Sequence, residues 1–324
     1  MVRSVAIVLF LLAASGGNAF AADVRSATRL SRLVICPPAE RVRDLFAHPN
    51  AWQKTRAMTG AILYADHILA QASDAELRTW FTAMRMWNIH LALEVGAIKE
   101  WGPTADATFR AEAPLWDRFI RLGAEIGSIA MDEPLGAAHA LHKSDDYAVE
   151  QTARFVEMVR QRYPHLLIGD VEPYPGLSLT AHVAWIKELT LRLRESGQAP
   201  LDFYRIDPDW VAFTMAGTGS WRDVASIAAL TRSLRMDFSL IFWASGYPWA
   251  KSVGLAGEDT WFVQVLDQGY AAREAGISPD QFVIESWISA PSQTVPEETP
   301  FTFTGTALDF ARKFVFPDKG ASTP

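Results

Sequence analysis

Eight short apolar runs, rich in β-branched and aromatic residues, recur along this chain of 324 residues, separated by stretches with helical periodicity. The runs are Arg32–Cys36, Ala61–Tyr64, Ile89–Val95, Ser128–Met131, Leu166–Val171, Asp202–Ile206, Phe238–Trp243 and Phe282–Trp287. Strands that alternate with helices form parallel βα units, and eight such units close into a barrel of about 250 residues or more. The sequence therefore predicts an α/β fold, a single-domain (β/α)8 TIM barrel. The rival, a doubly wound open sheet, expects a glycine-rich phosphate turn after an early strand. Here the first run ends in Cys36-Pro37-Pro38, and neither GxGxxG nor a Walker pattern occurs.

The intervening stretches have helix logic. Ser73-Asp74-Ala75-Glu76 is a capping-box pattern ahead of Leu77, Trp80, Phe81 and Met84. Ala148, Thr152, Phe155, Val156, Val159 and Tyr163 share one helical face, as do Val183, Ile186, Leu189 and Leu193, with Gly197 as the expected stop. Trp261, Phe262, Val265 and Leu266 repeat the pattern, with Gly276 at the end. Pro114 is expected in the first turn of the helix after the third strand. The first helix, near 50–58, has the weakest pattern.

The termini read differently from the body. Arg3, the apolar stretch Val5 to Ala14 and the small-x-small pattern Ala19-Phe20-Ala21 predict a signal peptide over residues 1–21, with the barrel over 22–316 and a flexible tail over 317–324. The expected residence is secreted or periplasmic, with no membrane insertion after cleavage. The net charge of −7 argues against nucleic-acid binding. One cysteine, Cys36, excludes an intrachain disulfide and reads as a small core residue. No metal ligand set and no cofactor motif stand out, and a monomer is expected.

Barrel enzymes carry their chemistry at the C-terminal ends of the strands. Carboxylates or aromatics follow almost every run: Asp66 with His67; Glu94, then Lys99 and Trp101; Asp132 and Glu133; Glu172 and Tyr174; Asp207 beside Arg205; Trp243; and Glu285 with Trp287. An unpaired buried carboxylate is costly, so a ring of them on one rim calls for a chemical reason. A pair of carboxylic groups acting as acid and as nucleophile or base cleaves glycosidic bonds, and indole faces suit sugar C–H surfaces. Simpler roles stand beside these: Glu94 paired with Lys99 or Arg85, Asp207 paired with Arg205, Asp66-His67 as a turn. Glu133, Glu172 and Glu285 are flanked by Pro or Trp rather than by a base, which favours function.

Ile129-Ala130-Met131-Asp132-Glu133-Pro134 resembles the Asn-Glu-Pro signature on the fourth strand of clan A glycoside hydrolases, and the whole mature chain is similar to that clan in architecture. The resemblance implies Glu133 as proton donor and Asp132 as a substrate-binding group. The clan's nucleophile follows the seventh strand, but Leu240-Ile241-Phe242-Trp243-Ala244-Ser245 has no carboxylate, which leaves Glu285 or Glu172 as the partner. Substrate contacts are expected from Asp66, Glu94, Trp101, Asp132, Tyr174, Asp207, Trp243 and Trp287. The leading expectation is a secreted glycosidase acting on a poly- or oligosaccharide. The alternatives are a metal-dependent sugar isomerase or lyase, with Asp132, Glu172, Asp207 and His67 as ligands, and a non-catalytic carbohydrate-binding barrel.

Overall fold

The computed structural model describes residues 29–317. The expected signal segment lies outside them, as does the expected tail beyond residue 317. Eight parallel strands, β1 (Leu33–Cys36), β2 (Ala61–Ala65), β3 (His90–Val95), β4 (Ile126–Asp132), β5 (Leu167–Tyr174), β6 (Phe203–Pro208), β7 (Asp237–Phe242) and β8 (Gln281–Glu285), pair in sequence order into a closed barrel. Closure is a direct register of β1 on β8, with Leu33 opposite Phe282 and Cys36 opposite Glu285. The strand cores are near-continuous Val, Ile, Leu and Phe because they are covered on one side by the barrel interior and on the other by helices. β1, β2 and β8 are buried almost throughout.

Side-chain oxygens start most of the outer helices. Ser73 and Glu76 form the expected capping box on the helix Asp74–Met86. Thr104, Ser144, Ser178 and Ser220 accept from the backbone N–H three residues on, starting the helices Ala105–Arg121, Asp145–Arg162, Leu179–Glu195 and Trp221–Ser233. Such a cap is worth about 1 kcal/mol. Gly197 and Gly276 follow their helices at φ 75° and 74°, the left-handed stop in which a Cβ is unfavourable.

Two local expectations are corrected. Pro114 lies deep inside the helix Ala105–Arg121 rather than in its first turn, because Thr104 sets the start nine residues earlier than a proline-led helix requires. The weakly patterned first helix is real but short, Gln53–Met58, preceded by a tight turn at Pro49–Trp52 and the helix Val42–Ala47. Its cap is non-local. Glu297, on the segment after β8, accepts from Lys54 N at 3.0 Å, Thr55 N at 2.8 Å and Thr55 Oγ1 at 2.7 Å. The helix is thus fixed by a carboxylate more than 240 residues away in sequence. Among the described residues no helix is long and apolar enough to cross a membrane.

β5 and β6 meet where Gly169 stands opposite Phe203. A Cβ on Gly169 would run into the Phe203 ring, well inside van der Waals contact, and Phe203 is fully buried. Gly169→Ala is expected to lower unfolding stability by about 1–3 kcal/mol, the cost of overpacking. Urea denaturation checks it; an unchanged midpoint would mean that the ring does not fill this position.

Candidate active site

Side chains alternate between the two faces of a strand, so one contact fixes which face looks inward. Arg205 on β6 is fully buried and donates to Ser239 Oγ on β7 at 3.1 Å and to Gln281 Oε1 on β8 at 2.9 Å. That network is inside the barrel. Asp207 therefore looks inward one step above Arg205, and Glu285 lies on the inward face of β8, two steps above Gln281. Trp243 continues the inward face of β7 just beyond its end. Glu94 on β3 and Asp132 on β4 complete the group, since Glu285, Asp132 and Asp207 all act electrostatically on Glu94. The mouth of the barrel thus gathers Glu94, Asp132, Asp207, Glu285 and Trp243 above one buried guanidinium.

Burial sets the proton affinities. It pushes Glu285 up to about 7, with the Arg205 charge pulling the other way and Asp132 adding to the rise. It pushes Asp207 up to about 8, reinforced by Glu285 and Glu133. Glu94 is raised well above the carboxylate range by burial, then by Glu285 and Asp132. Glu133 is raised by burial and by Asp132, with Lys99 opposing. Cys36 faces Glu285 across the β1–β8 seam, and its thiol is pushed up by burial and by that carboxyl.

Among the described residues, Arg205 Nη1, Trp243 Nε1, Asp207 Oδ1 and Glu285 Oε2 lack a well-formed hydrogen bond, although the Cys36 thiol bonds the Glu285 carboxyl. The Trp243 indole lies beside Asp207 and moderates its rise, but without a well-formed hydrogen bond. Lys99 pairs with Asp132, not with Glu94 as the sequence allowed. A cavity of about 200 Å³ opens beside them, lined by Asp66, Glu94, Lys99, Trp101, Glu112 and Asp132. Glu112 is missing from the sequence reading. It comes from the helix Ala105–Arg121, accepts from Gly96 N at 2.8 Å, and is lifted to about 9 by burial and then by Asp66. A larger hollow, about 810 Å³, lies by the N-terminal ends of β5, β6 and β7 and holds none of these groups.

The structure disperses part of the sequence-based set. Asp170, Glu172 and Tyr174 share one face of β5, and Asp170 accepts from Trp185 Nε1 of an outer helix at 2.6 Å. That face looks toward the helices. Glu172 accepts from Leu135 N at 2.6 Å and Gly136 N at 3.4 Å, capping the helix Pro134–Ala140. Tyr174 is buried, donates to Asp223 Oδ2 at 2.6 Å and accepts from Ser220 N at 2.8 Å. Asp66 is buried and accepts from Trp116 Nε1 at 2.8 Å. Glu133 stays near the mouth, in a left-handed conformation with φ 50° that is costly for a non-glycine residue. Trp287, 61% exposed, leans on Trp243 with ring centroids 4.7 Å apart, and Trp101 is 59% exposed at the rim. Among the described residues no group of three or more His, Cys, Asp or Glu is arranged to hold a metal ion.

No family model and no curated protein matches the chain. It is similar to solved barrels at low identity. An aldolase is 13% identical, with a TM-score of 0.45, covering 83% of this chain and 94% of its own. A D-psicose 3-epimerase crystallised with D-fructose is 14% identical, TM-score 0.46, covering 88% and 99%. An aldo-keto reductase from a Medee basin deep-sea metagenome library is 10% identical, TM-score 0.44, covering 81% and 83%. Likeness at this level concerns the barrel fold.

The glycosidase expectation is corrected here. None of these solved barrels is titled a glycosidase, and no glycoside hydrolase family is indicated. The geometry gives the physical reason on the residue side. Glu172 is held by backbone amides on the helix side of β5 and does not face Glu133 across a groove. The short Asp-Glu-Pro motif matched a strand-end position, which barrels of many activities share.

Glu285 and Asp207 have folded values near 7 and 8, above the ordinary carboxyl range of about 4. The folded protein therefore keeps protons that the unfolded chain has released. This contribution to stability is full below about pH 4 and is lost as pH rises through 7 and 8, with a slope of at most about 1.4 kcal/mol per pH unit for each group. Urea midpoints of the parent are expected to fall between pH 5 and pH 8, and the double variant Asp207→Asn, Glu285→Gln to flatten that fall. An equal slope in both proteins would contradict the assignment.

Proposed function

We propose that the protein is a barrel enzyme that moves a proton on a small polyhydroxylated, carbonyl-bearing substrate, an isomerase or lyase in type. The observation that carries this reading is the interleaving of orphaned donors and acceptors at the mouth: Arg205 Nη1 and Trp243 Nε1 beside Asp207 Oδ1 and Glu285 Oε2. A hydroxyl donates one hydrogen bond and accepts others, so neighbouring hydroxyls on one small molecule satisfy both kinds at once. The cavity of about 200 Å³ meets the mouth at Glu94 and Asp132, and its size, below the usual range of about 300–1,000 Å³ for ligand clefts, supports a small substrate.

The acid–base assignments follow from the raised proton affinities. A general base works best with a pKa near the working pH, and Glu285 at about 7 suits removal of a proton from carbon next to a carbonyl. Asp207 at about 8 retains its proton at neutral pH, and burial raises Glu94 in the same direction. A neutral carboxylic acid donates a hydrogen bond to the carbonyl oxygen and stabilises the charge that develops there. Asp132, paired with Lys99, adds to the rise in proton affinity of Glu94. Trp243 and Trp287 offer apolar faces to the carbon skeleton.

The test is exchange of carbon-bound hydrogen in D2O, followed by NMR across a panel of aldoses, ketoses and sugar acids. On any sugar that the parent protein exchanges, Glu285→Gln is expected to slow exchange by about 100-fold or more while the fold is retained. Undiminished exchange by that variant would overturn the role of Glu285. A panel in which no sugar exchanges would overturn the proton-transfer reading.

A further inference from the structure

We infer that Lys99 holds the substrate covalently, its Nζ condensing with the carbonyl carbon to form an imine in the small cavity at the mouth. The inference rests on the carbonyl-substrate reading above and deepens it. Among the described residues five lysines, Lys54, Lys143, Lys187, Lys251 and Lys313, are exposed. Lys99 differs from them: its side chain is only 20% exposed, and it lines the cavity with Glu94, Glu112 and Asp132. Its backbone is fixed by a reciprocal pair of hydrogen bonds with Gly102, each 3.0 Å. Its stem lies over Gly96, where a Cβ would come within 2.7 Å of Lys99 Cγ. Withdrawing a long cation from water costs rotamer entropy and solvation, and a surface ion pair needs neither.

Glu112 gives the independent observation. It is 4% exposed and enters the cavity wall from a helix, and Gly96 N donates to its Oε1. Its Oε2 has no partner among the described residues. Burial lifts this carboxyl to about 9, so at neutral pH it is a proton donor without an acceptor. A carbonyl oxygen in the cavity supplies the acceptor. Attack by a lysine amine needs a base for the nitrogen's proton and an acid for the departing oxygen. Asp132, paired with Lys99, is the base, and Glu112 is the acid. The freed electron pair on Nζ bonds to the carbonyl carbon, and the C–O bond breaks. Oxygen leaves as water with the two protons that Nζ loses; Asp132 takes them from nitrogen and Glu112 delivers them to oxygen. The balance is ammonium plus carbonyl to iminium plus water, so the single positive charge beside Asp132 is kept. The iminium draws electrons from the neighbouring carbon more strongly than the carbonyl does, which eases the proton removal assigned to Glu285.

The test is reductive trapping of the folded full chain with sodium cyanoborohydride and three ketoses, dihydroxyacetone, D-erythrulose and D-fructose, with adducts located by peptide mass spectrometry. With at least one ketose, Lys99 is expected to carry about 10-fold or more adduct than the exposed Lys54 and Lys187. A lysine that only holds an ion pair, shielded from solvent, labels less than they do. Glu112→Gln, checked for an unchanged melting temperature, is expected to lower the Lys99 adduct about 10-fold or more and to leave Lys54 and Lys187 as they were. An unaltered Lys99 adduct in that variant overturns the role of Glu112. Exchange of a ketose in D2O without a Lys99 adduct above that of the exposed lysines overturns the imine and leaves the proton-transfer reading standing. Neither adduct nor exchange with any of the three overturns both.

Discussion

A guanidinium cut off from water is the constraint around which this barrel mouth is arranged. Arg205 has no exposed surface, and removing such a charge from solvent costs several kcal/mol unless polar groups surround it. Ser239 and Gln281 supply hydrogen bonds from β7 and β8, and Glu94 and Glu285 lie close enough to favour its protonated form. The same contacts tie three strands together near the closing seam and define the inward face of each. Asp207, Trp243 and Glu285 follow from that by strand alternation alone. The positive charge below also holds Glu285 back from the larger rise that burial alone would give.

Proton retention at the mouth is a collective property. Asp132 contributes to the rise of Glu94, Glu133, Asp207 and Glu285, although its own ion pair is with Lys99. Glu133 sits between this group and the outer layer, held in a left-handed backbone conformation. Beside it, over the same side of Gly136, Glu172 caps the helix that follows. The Asp132-Glu133-Pro134 corner is therefore a strained junction between the mouth and the helical shell, and its two flanking glutamates do different work.

The barrel was legible because strand and helix periods alternate cleanly and the glycine-rich turn of the rival fold is missing. All eight strands lie where the apolar runs predict them. The ends were less legible: β5 runs on to Tyr174, which turns Glu172 and Tyr174 from loop residues into strand residues on the outer face. Parity held the signal, since Glu172 is two residues from Asp170, but a sequence does not say that Asp170 meets Trp185. Glu112 was missed because it belongs to a helix, away from every strand end, and reaches the mouth through Gly96. The glycosidase expectation leaned on a three-residue motif, whereas the chemistry of the mouth depends on Arg205, which the sequence offered only as a simple partner for Asp207.

The most direct measurement follows the side-chain carboxyl carbons of the labelled protein by NMR from pH 4 to pH 9, with Glu285→Gln and Asp207→Asn to assign the resonances. Glu285 is expected to titrate near 7 and Asp207 near 8. Titration of both below about 5, the ordinary range for solvated carboxyls, would contradict it.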